Sequence, residues 1–380
     1  MKSVLPDPRG RDKTSSFLRC CRSSTFALFS LLFGTTSIFL YLFWIHSRSS
    51  YGYFEYLIPM ETTIRVHYFN RPIWLPMDIF AGCDRKCYLT DGEGNSYAGS
   101  DVVVFHAPYV KVKHPPKKMG QIWVFHALEP PGAHWNKLDK WKNVFNWTMS
   151  YRRDADITNT YGVFRKRTDN QNILEKERKD TYANWQKKSK GIAWMVSNCE
   201  TSGKRDTFVK KLKKVTSVDI YGKCGVKNCS RKNTVECLKP YKFYLSFESE
   251  LCKDYITEKS FKMYASSEMA LPIVRSDANL SMFLPPGSYI DTSKFKHISD
   301  LGKYVKAFSK NKTRIKKYMK WRAHYKINHG TIHSAPFCEL CRRLHQKDVH
   351  KYERLYRDIG EWLLGGKSKR KSCRLANDLH

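Results

Sequence analysis

The sequence predicts an α/β fold of two Rossmann-like domains facing a cleft, preceded by a single N-terminal transmembrane helix. Three observations predict it. Short apolar runs that read as buried strands recur with longer connections between them. A strand-helix-strand pattern closes within about 30 residues. One charge-free stretch near the amino terminus is long enough to cross a bilayer.

That stretch is Phe26 to Ile45 (FALFSLLFGTTSIFLYLFWI), inside a signal anchor assigned to residues 23–46. Tyr41 and Trp44 sit near one end, where amphipathic rings favour the membrane interface. In the preceding tail, residues 1–22, Lys2, Arg9, Arg11, Lys13, Arg19 and Arg22 outnumber Asp7 and Asp12. The positive-inside rule therefore keeps the tail cytoplasmic and sends everything after His46 into the lumen. No small-residue cleavage site follows, so the helix is expected to stay as an anchor. Residues 47–60 read as a stem.

The first lumenal domain is assigned to residues 61–186. Asp101–Phe105 (DVVVF), Gln121–Leu128 (QIWVFHAL) and Asn143–Trp147 have buried-strand character. Ligands of such parallel sheets sit outside the carboxyl ends of the strands. Glu129 stands at one of these ends, followed by Pro130, Pro131 and Gly132. A carboxylate fixed there and partly desolvated has its pKa raised toward that of a useful base. His106, His126 and His134 lie nearby, but no carboxylate or cysteine spacing makes a metal site or a triad of them. Asp154-Ala155-Asp156 reads as part of a structural ion-pair cluster with Arg152 and Arg153.

The polar, lysine-rich segment from Gly162 to Gly191 reads as an exposed helix or linker at the boundary. The second domain is assigned to residues 187–350. Gly191–Ser197 is a strand, Arg205–Val215 a helix with Phe208, Val209, Leu212 and Val215 on one face, and Ser217–Tyr221 the next strand. Tyr241–Phe247 is another buried strand. After a polar turn, Thr257 can cap a helix that runs through Phe261, Met263 and Tyr264. Its first turn carries Glu258 and Lys259. A lysine opposes the helix dipole there, which fits either an anion such as a diphosphate facing both the lysine and the free N–H groups or a solvated lysine beside a capping glutamate. Arg205, at the opening of its own helix, is a second candidate cation. No G-x-G-x-x-G or P-loop is present, so neither a dinucleotide cofactor nor a P-loop nucleotide is supported. The helix headed by Trp321-Arg322 is expected to pack back across both domains, and residues 351–380 read as a basic tail with a disordered end.

Of the 380 residues, 68 are Lys or Arg against 35 acidic, a formal charge of +33. Such a charge raises nucleic acid as a partner. The basic residues are spread, however, no recognition motif accompanies them, and the anchor sends them to the lumen, so nucleic acid is not expected. Ten cysteines from Cys83 to Cys373 suit an oxidising compartment. Cys83-x3-Cys87 and Cys338-x2-Cys341 are compatible with two halves of a zinc site or with disulfides. Asn146, Asn228, Asn279 and Asn311 each stand in N-x-S/T and are candidate glycan acceptors.

The run Ser246-Phe247-Glu248, then Cys252-Lys253-Asp254-Tyr255-Ile256-Thr257-Glu258-Lys259, resembles the donor-sugar motif of the α1,3-fucosyltransferases, SFENS followed by DYxTEK. Phe145–Asp154, Tyr161-Gly162, Val196–Cys199, Asp219–Gly222 and Trp321-Arg322 match further motifs in the family's order. The resemblance implies a GT-B arrangement, GDP-β-L-fucose as donor and inverting transfer to the 3-hydroxyl of GlcNAc in an N-glycan or other oligosaccharide. It also implies a Golgi type II membrane protein. It makes Glu129 the base, although the family's usual Glu-Ser-Pro is here Glu129-Pro130-Pro131. Arg205 and Lys259 would meet the donor phosphates, Glu258 the ribose hydroxyls, and Tyr255 would line the pocket. Ser249 stands where the family has a donor-contacting Asn, and Arg275–Asn279 lacks the usual glycine. No metal is obligatory in this picture, and a divalent cation would at most stimulate. By the same resemblance Cys83 and Cys87 pair with Cys338 and Cys341. The alternative is an inactive lumenal protein of the same fold that binds glycan or nucleotide.

Overall fold

The computed structural model describes residues 63–133, 138–230, 234–266, 268, 270–328, 334–346, 353–366 and 372–380. The predicted tail, anchor and stem, and His134, lie outside the described residues. Among the described residues no helix is long and apolar enough to cross a membrane.

Two parallel sheets carry the architecture. The first holds β1 (Ile64–Tyr68), β2 (Cys87–Asp91), β3 (Val102–His106), β4 (Ile122–Ala127), β5 (Trp147–Ser150) and β6 (Ile157–Thr158) in the order β2-β1-β3-β4-β5-β6. β3 and β4 are apolar along nearly their whole length because both faces of the sheet are covered. On one face Val102, Val104 and Val124 pack with Phe337, Leu340 and Leu344. On the other, Val103, Phe105, Trp123 and Phe125 pack with Trp141, Phe145, Ile359 and Leu363.

β7 (Val163–Lys166) and the long α1 (Gln171–Gln186) lead to the second sheet. It comprises β8 (Lys190–Met195), β9 (Val218–Tyr221), β10 (Tyr241–Phe247), β12 (Leu271–Arg275) and β13 (Ile290–Asp291), ordered β13-β12-β10-β8-β9 and parallel throughout. α2 (Arg205–Leu212) presses Phe208, Val209 and Leu212 onto one face, joined by Leu301, Val305 and Phe308 of α5 (Ile298–Phe308) and by Ile315 and Met319 of α6 (Lys312–Met319). The other face packs Tyr241, Tyr244 and Val274 against Ile256, Phe261, Tyr264 and Trp321. The short α3 (Thr234–Leu238) and α4 (Glu258–Phe261) lie in the loops flanking β10. β14 (Tyr325–Asn328) pairs with β7, and β11 (Leu251–Cys252) with β15 (Cys373–Arg374).

Several expectations are corrected. The third strand begins at Trp147, four residues later than expected: Asn143 is left-handed (φ 56°), and the Asn146 side chain accepts the Trp123 N–H at 2.8 Å. Trp321-Arg322 forms a 3-10 turn inside the second core. The element that crosses to the first sheet is α7 (Ser334–Leu344), followed by α8 (Ile359–Leu364) on the opposite face. The end of the chain is paired: Asp378 holds Arg275 at 2.6 Å and the His380 carbonyl accepts the Ile298 N–H at 2.9 Å.

All ten cysteines from Cys83 onward form disulfides. Cys83–Cys338 and Cys87–Cys341 tie α7 to the first sheet, so these four thiols are bridges and hold no zinc. Cys199–Cys224, Cys229–Cys237 and Cys252–Cys373 complete the set. Asn228, Asn279 and Asn311 are exposed, whereas Asn146 is 1% exposed. The Asn146 side-chain amide accepts from Trp123 N and Lys117 Nζ and donates to the Arg354 carbonyl, so in the folded chain it is engaged between strands.

Candidate functional site

The carboxyl ends of β8 and β10 bring Arg205, Glu248, Glu258 and Lys259 together. β10 is buried from Phe243 through Phe247, and the next residue, Glu248, has no exposure. A buried carboxylate needs partners. Glu248 accepts from Thr257 N at 2.9 Å, from Thr257 Oγ1 at 2.9 Å and from Lys259 Nζ at 3.1 Å. Burial pushes its pKa up, against the pull of Lys259. Burial alone would lower the Lys259 pKa, but Glu248 and Glu258 together hold it above its ordinary value. Thr257 caps α4 as expected. The helix, however, has only four residues before a 3-10 turn over Lys262–Tyr264, too few aligned peptides for a strong dipole. The positive charge here belongs to the lysine side chain. Glu258 stands largely exposed, 3.5 Å from the Lys259 ammonium.

Arg205 opens α2 and reaches the same strand ends. Its guanidinium donates to the carbonyls of Phe247 at 3.1 Å and Asn198 at 2.9 Å and lies 5.9 Å from the Trp194 ring centre. Its Nε is buried without a hydrogen-bond partner, as is the Thr201 hydroxyl in the adjoining loop. Among the described residues such buried, unpartnered polar groups are unusual, and Thr201 lies in the wall of the hollow described below. The loop itself is drawn tight. Lys204 is left-handed (φ 46°), Gly203 N donates to the Ser249 carbonyl at 2.8 Å, and a Cβ on Gly203 would lie 2.7 Å from that oxygen. Only glycine permits this approach. Arg275 braces the loop from below, donating to the Gly203 carbonyl at 2.6 Å while Asp378 grips its other edge.

Glu129 comes from the first sheet, two residues past β4. The residue is exposed to solvent by area, neighbouring protein crowds its carboxyl on the cleft side, and Tyr255 donates to its Oε2 at 3.4 Å. Burial raises its pKa above the ordinary 4.5, Lys259 opposes the shift, and Glu258 and Glu248 add to it. Tyr255 is itself buried, edge-on to Tyr151 at 5.0 Å, and its hydroxyl pKa is pushed far up by burial. On the adjoining side lies a hollow of about 630 Å³ whose walls include Glu129, Pro131, Asn198, Thr201, Ser249 and Glu250. Gly132 N donates to Glu250 Oε2 at 3.3 Å across it. Beside these loops, Gly162 lets Phe261 approach: a Cβ there would lie 2.3 Å from the ring.

The structure thus brings Glu129, Tyr255, Glu258, Lys259, Arg205 and Ser249 to facing strand ends. Thr201 goes unnamed in the sequence reading, and Glu248 and Arg275 appear there only within a motif run and a departure from the family pattern, without a role. The carboxylate directly after an apolar strand was the available signal for Glu248; Arg275 shows only as an arginine at the end of the apolar run Leu271–Val274. The aspartates of Asp154-Ala155-Asp156 are engaged elsewhere. Asp154 pairs with Arg152 at 2.6 Å, and Asp156 accepts from Thr148 and Tyr356 at 2.8 and 2.7 Å. His126 is buried between Tyr68 and Asn159 as a core histidine.

Chemically, the arrangement offers a carboxylate of raised proton affinity on one wall and two fixed cations on the other. The C-terminal model of glycosyltransferase family 10 (fucosyltransferase) matches residues 185–362, and the fucosyltransferase N-terminal model matches residues 59–162. Alpha-(1,3)-fucosyltransferase C of Drosophila melanogaster is 35% identical over 294 residues, covering 72% of this chain and 66% of the relative. Alpha-(1,3)-fucosyltransferase fut-6 of Caenorhabditis elegans is 31% identical over 332 residues, covering 80% and 82%. The crystal structure of an α1,3-fucosyltransferase with GDP-fucose superposes with a TM-score of 0.46 at 17% identity, over 68% of this chain and 81% of that one.

Proposed function

The chain belongs to the fucosyltransferases of glycosyltransferase family 10, and from that premise we propose that it moves L-fucose from GDP-β-L-fucose to the 3-hydroxyl of GlcNAc in a glycan, inverting the anomeric centre. Glu129 takes the proton from the acceptor O3 as that oxygen attacks fucose C1. The bond from C1 to the β-phosphate oxygen breaks, and GDP departs with the electron pair. Arg205 and Lys259 offset the charge developing on the diphosphate, and because both are held in place beforehand they cost little reorganisation. Ser249 and Thr201 face the donor, and Glu258 accepts from the ribose hydroxyls.

The observation that carries this reading is the Glu129–Tyr255 contact at 3.4 Å, which joins the base on one sheet to the loop that bears Lys259 on the other. The two cations take the part a divalent ion plays elsewhere, so activity is expected to survive chelation. The lumenal Golgi location and the anchor at residues 23–46 belong to the same proposal. The inactive alternative is not favoured, because the carboxylate and both cations are present and the relatives are named as transferases. The test is transfer from GDP-fucose to a panel of defined glycans: the N-glycan core, antennal Gal-GlcNAc and GalNAc-GlcNAc. Fucose on O3 of GlcNAc, lost in Glu129→Gln while GDP still binds, is the expected result. GDP binding by the wild type with no turnover on any acceptor overturns it.

A further inference from the structure

At the amino ends of β8, β9 and β10, opposite the transfer cleft, lies a second hollow of about 580 Å³. Lys190, Lys213, Lys214, Lys242 and Lys306 stand around it, and none of its lining residues is acidic. Ser189, Thr216, Ser217 and Ser309 add hydroxyls. Among the described residues these lysines have no ion pair, and Lys190 lies over the face of Tyr241, 5.3 Å from the ring centre. Asp219 on β9 is already engaged by the Tyr241 hydroxyl and, at 3.5 Å, by Lys227.

Helix ends explain part of this charge. α2 and α5 both terminate here, each with roughly half a negative charge, so lysines at 213, 214 and 306 are locally favourable. Together the two dipoles offset only about one of the five positive charges. Lys190 and Lys242 lie on strands, where no dipole asks for them. Cations held around one concavity repel each other, and an anionic occupant relieves that repulsion.

We propose that this hollow binds a sulfated polysaccharide chain, independently of the transfer cleft. Sulfates spaced along a hydroxylated chain match ammonium groups interleaved with serine and threonine hydroxyls. A nucleic acid would want exposed rings for its bases, and the single aromatic in the lining, Phe243, is buried. A bilayer would want exposed apolar side chains, and Ile192 and Val305 are buried.

The test titrates the full-length protein with a heparin hexasaccharide and with its desulfated counterpart at physiological salt. Lys213→Glu/Lys214→Glu/Lys306→Glu is expected to lose about tenfold or more in affinity. The charge-matched control Lys140→Glu/Lys176→Glu/Lys179→Glu, on other surfaces, is expected to change far less. The corresponding Gln triple variant repeats the comparison should the Glu one unfold. GDP affinity should be unchanged in both. Equal losses in test and control, equal binding of the desulfated chain, competition by GDP, or tighter site-dependent binding of an oligonucleotide or a phosphatidylserine vesicle each overturns the proposal.

Discussion

The Lys259 ammonium lies 3.1 Å from a Glu248 carboxylate that has no exposure at all, so the cation offered to the cleft is fixed by an anion beneath it. Glu248 also takes both donors of Thr257, and through them it pins the loop from 248 to 259. Such a pair is weak evidence for stability, because two charges must be desolvated to make it. Breaking it from one side is another matter. Lys259→Ala leaves a buried carboxylate with its Thr257 hydrogen bonds but no counter-charge and is expected to cost roughly 3 kcal/mol, the low end for such pairs, since Lys259 is 22% exposed. Adding Glu248→Gln should recover much of that stability while GDP affinity stays low. Denaturant unfolding and GDP titration of the two variants separate the roles. Recovery of affinity in the double variant would show that Lys259 acts only by pairing.

The raised Glu129 pKa fixes a second expectation. Burial makes the folded protein bind this proton more tightly than the unfolded chain does. The stability it contributes is therefore present below the unfolded value near 4.5 and is lost as pH rises through the folded pKa. Glu129→Gln should be more stable than wild type at neutral pH, with the two unfolding curves converging in acid. The same variant should lose about 10²–10⁴-fold in transfer rate. Wild-type activity should rise with pH through a midpoint above 4.5. A less stable Gln variant at pH 7 would contradict the burial argument.

These expectations combine what the sequence makes legible with what it hides. The strands around Val102–His106 and Ile122–Ala127 are readable because burial on both faces removes polar alternation, and the Thr257 cap and Glu129 announce themselves by position. Glu248 does not: in sequence it is a polar residue entering a turn, and its complete burial depends on a loop folding back from Thr257. Arg275 is harder still, for its partners Gly203 and Asp378 lie 72 and 103 residues away. The CxxC segment reads as a pair of thiols, while the apolar face that carries α7 over to the first sheet has meaning only once that sheet exists.

The two bridges to α7 should not contribute equally in sequence of removal. Cys83–Cys338 closes a separation of 255 residues, for which the chain-entropy model gives about 5 kcal/mol. With that bridge in place, Cys87–Cys341 closes only a few further residues and adds roughly 2–3 kcal/mol by the same model. Replacing either pair with alanine should therefore cost the smaller amount, and replacing both should cost much more than twice it. Denaturant midpoints of the two single-pair variants and the quadruple variant measure this. Additive losses would mean that the bridges act on separate loops, against the shared closure.

Asn146 provides the last expectation, since its sequon and its environment point in opposite directions. The Asn146-Trp147-Thr148 triplet satisfies N-x-S/T, yet the amide is enclosed between strands. It bonds Trp123 at 2.8 Å, Lys117 at 2.6 Å and Arg354 at 3.1 Å. A glycan there would displace all three and leave the Trp123 N–H and the Arg354 carbonyl unpaired. Glycopeptide mass spectrometry of the secretory-expressed protein should find Asn146 unmodified, with any glycans on Asn228, Asn279 or Asn311. Asn146→Ala should lower stability by roughly 2–3 kcal/mol, because buried partners are stranded, without shifting the glycosylated mass. A mass shift on that substitution would mean that the segment between β4 and β5 is modified before it folds into the sheet.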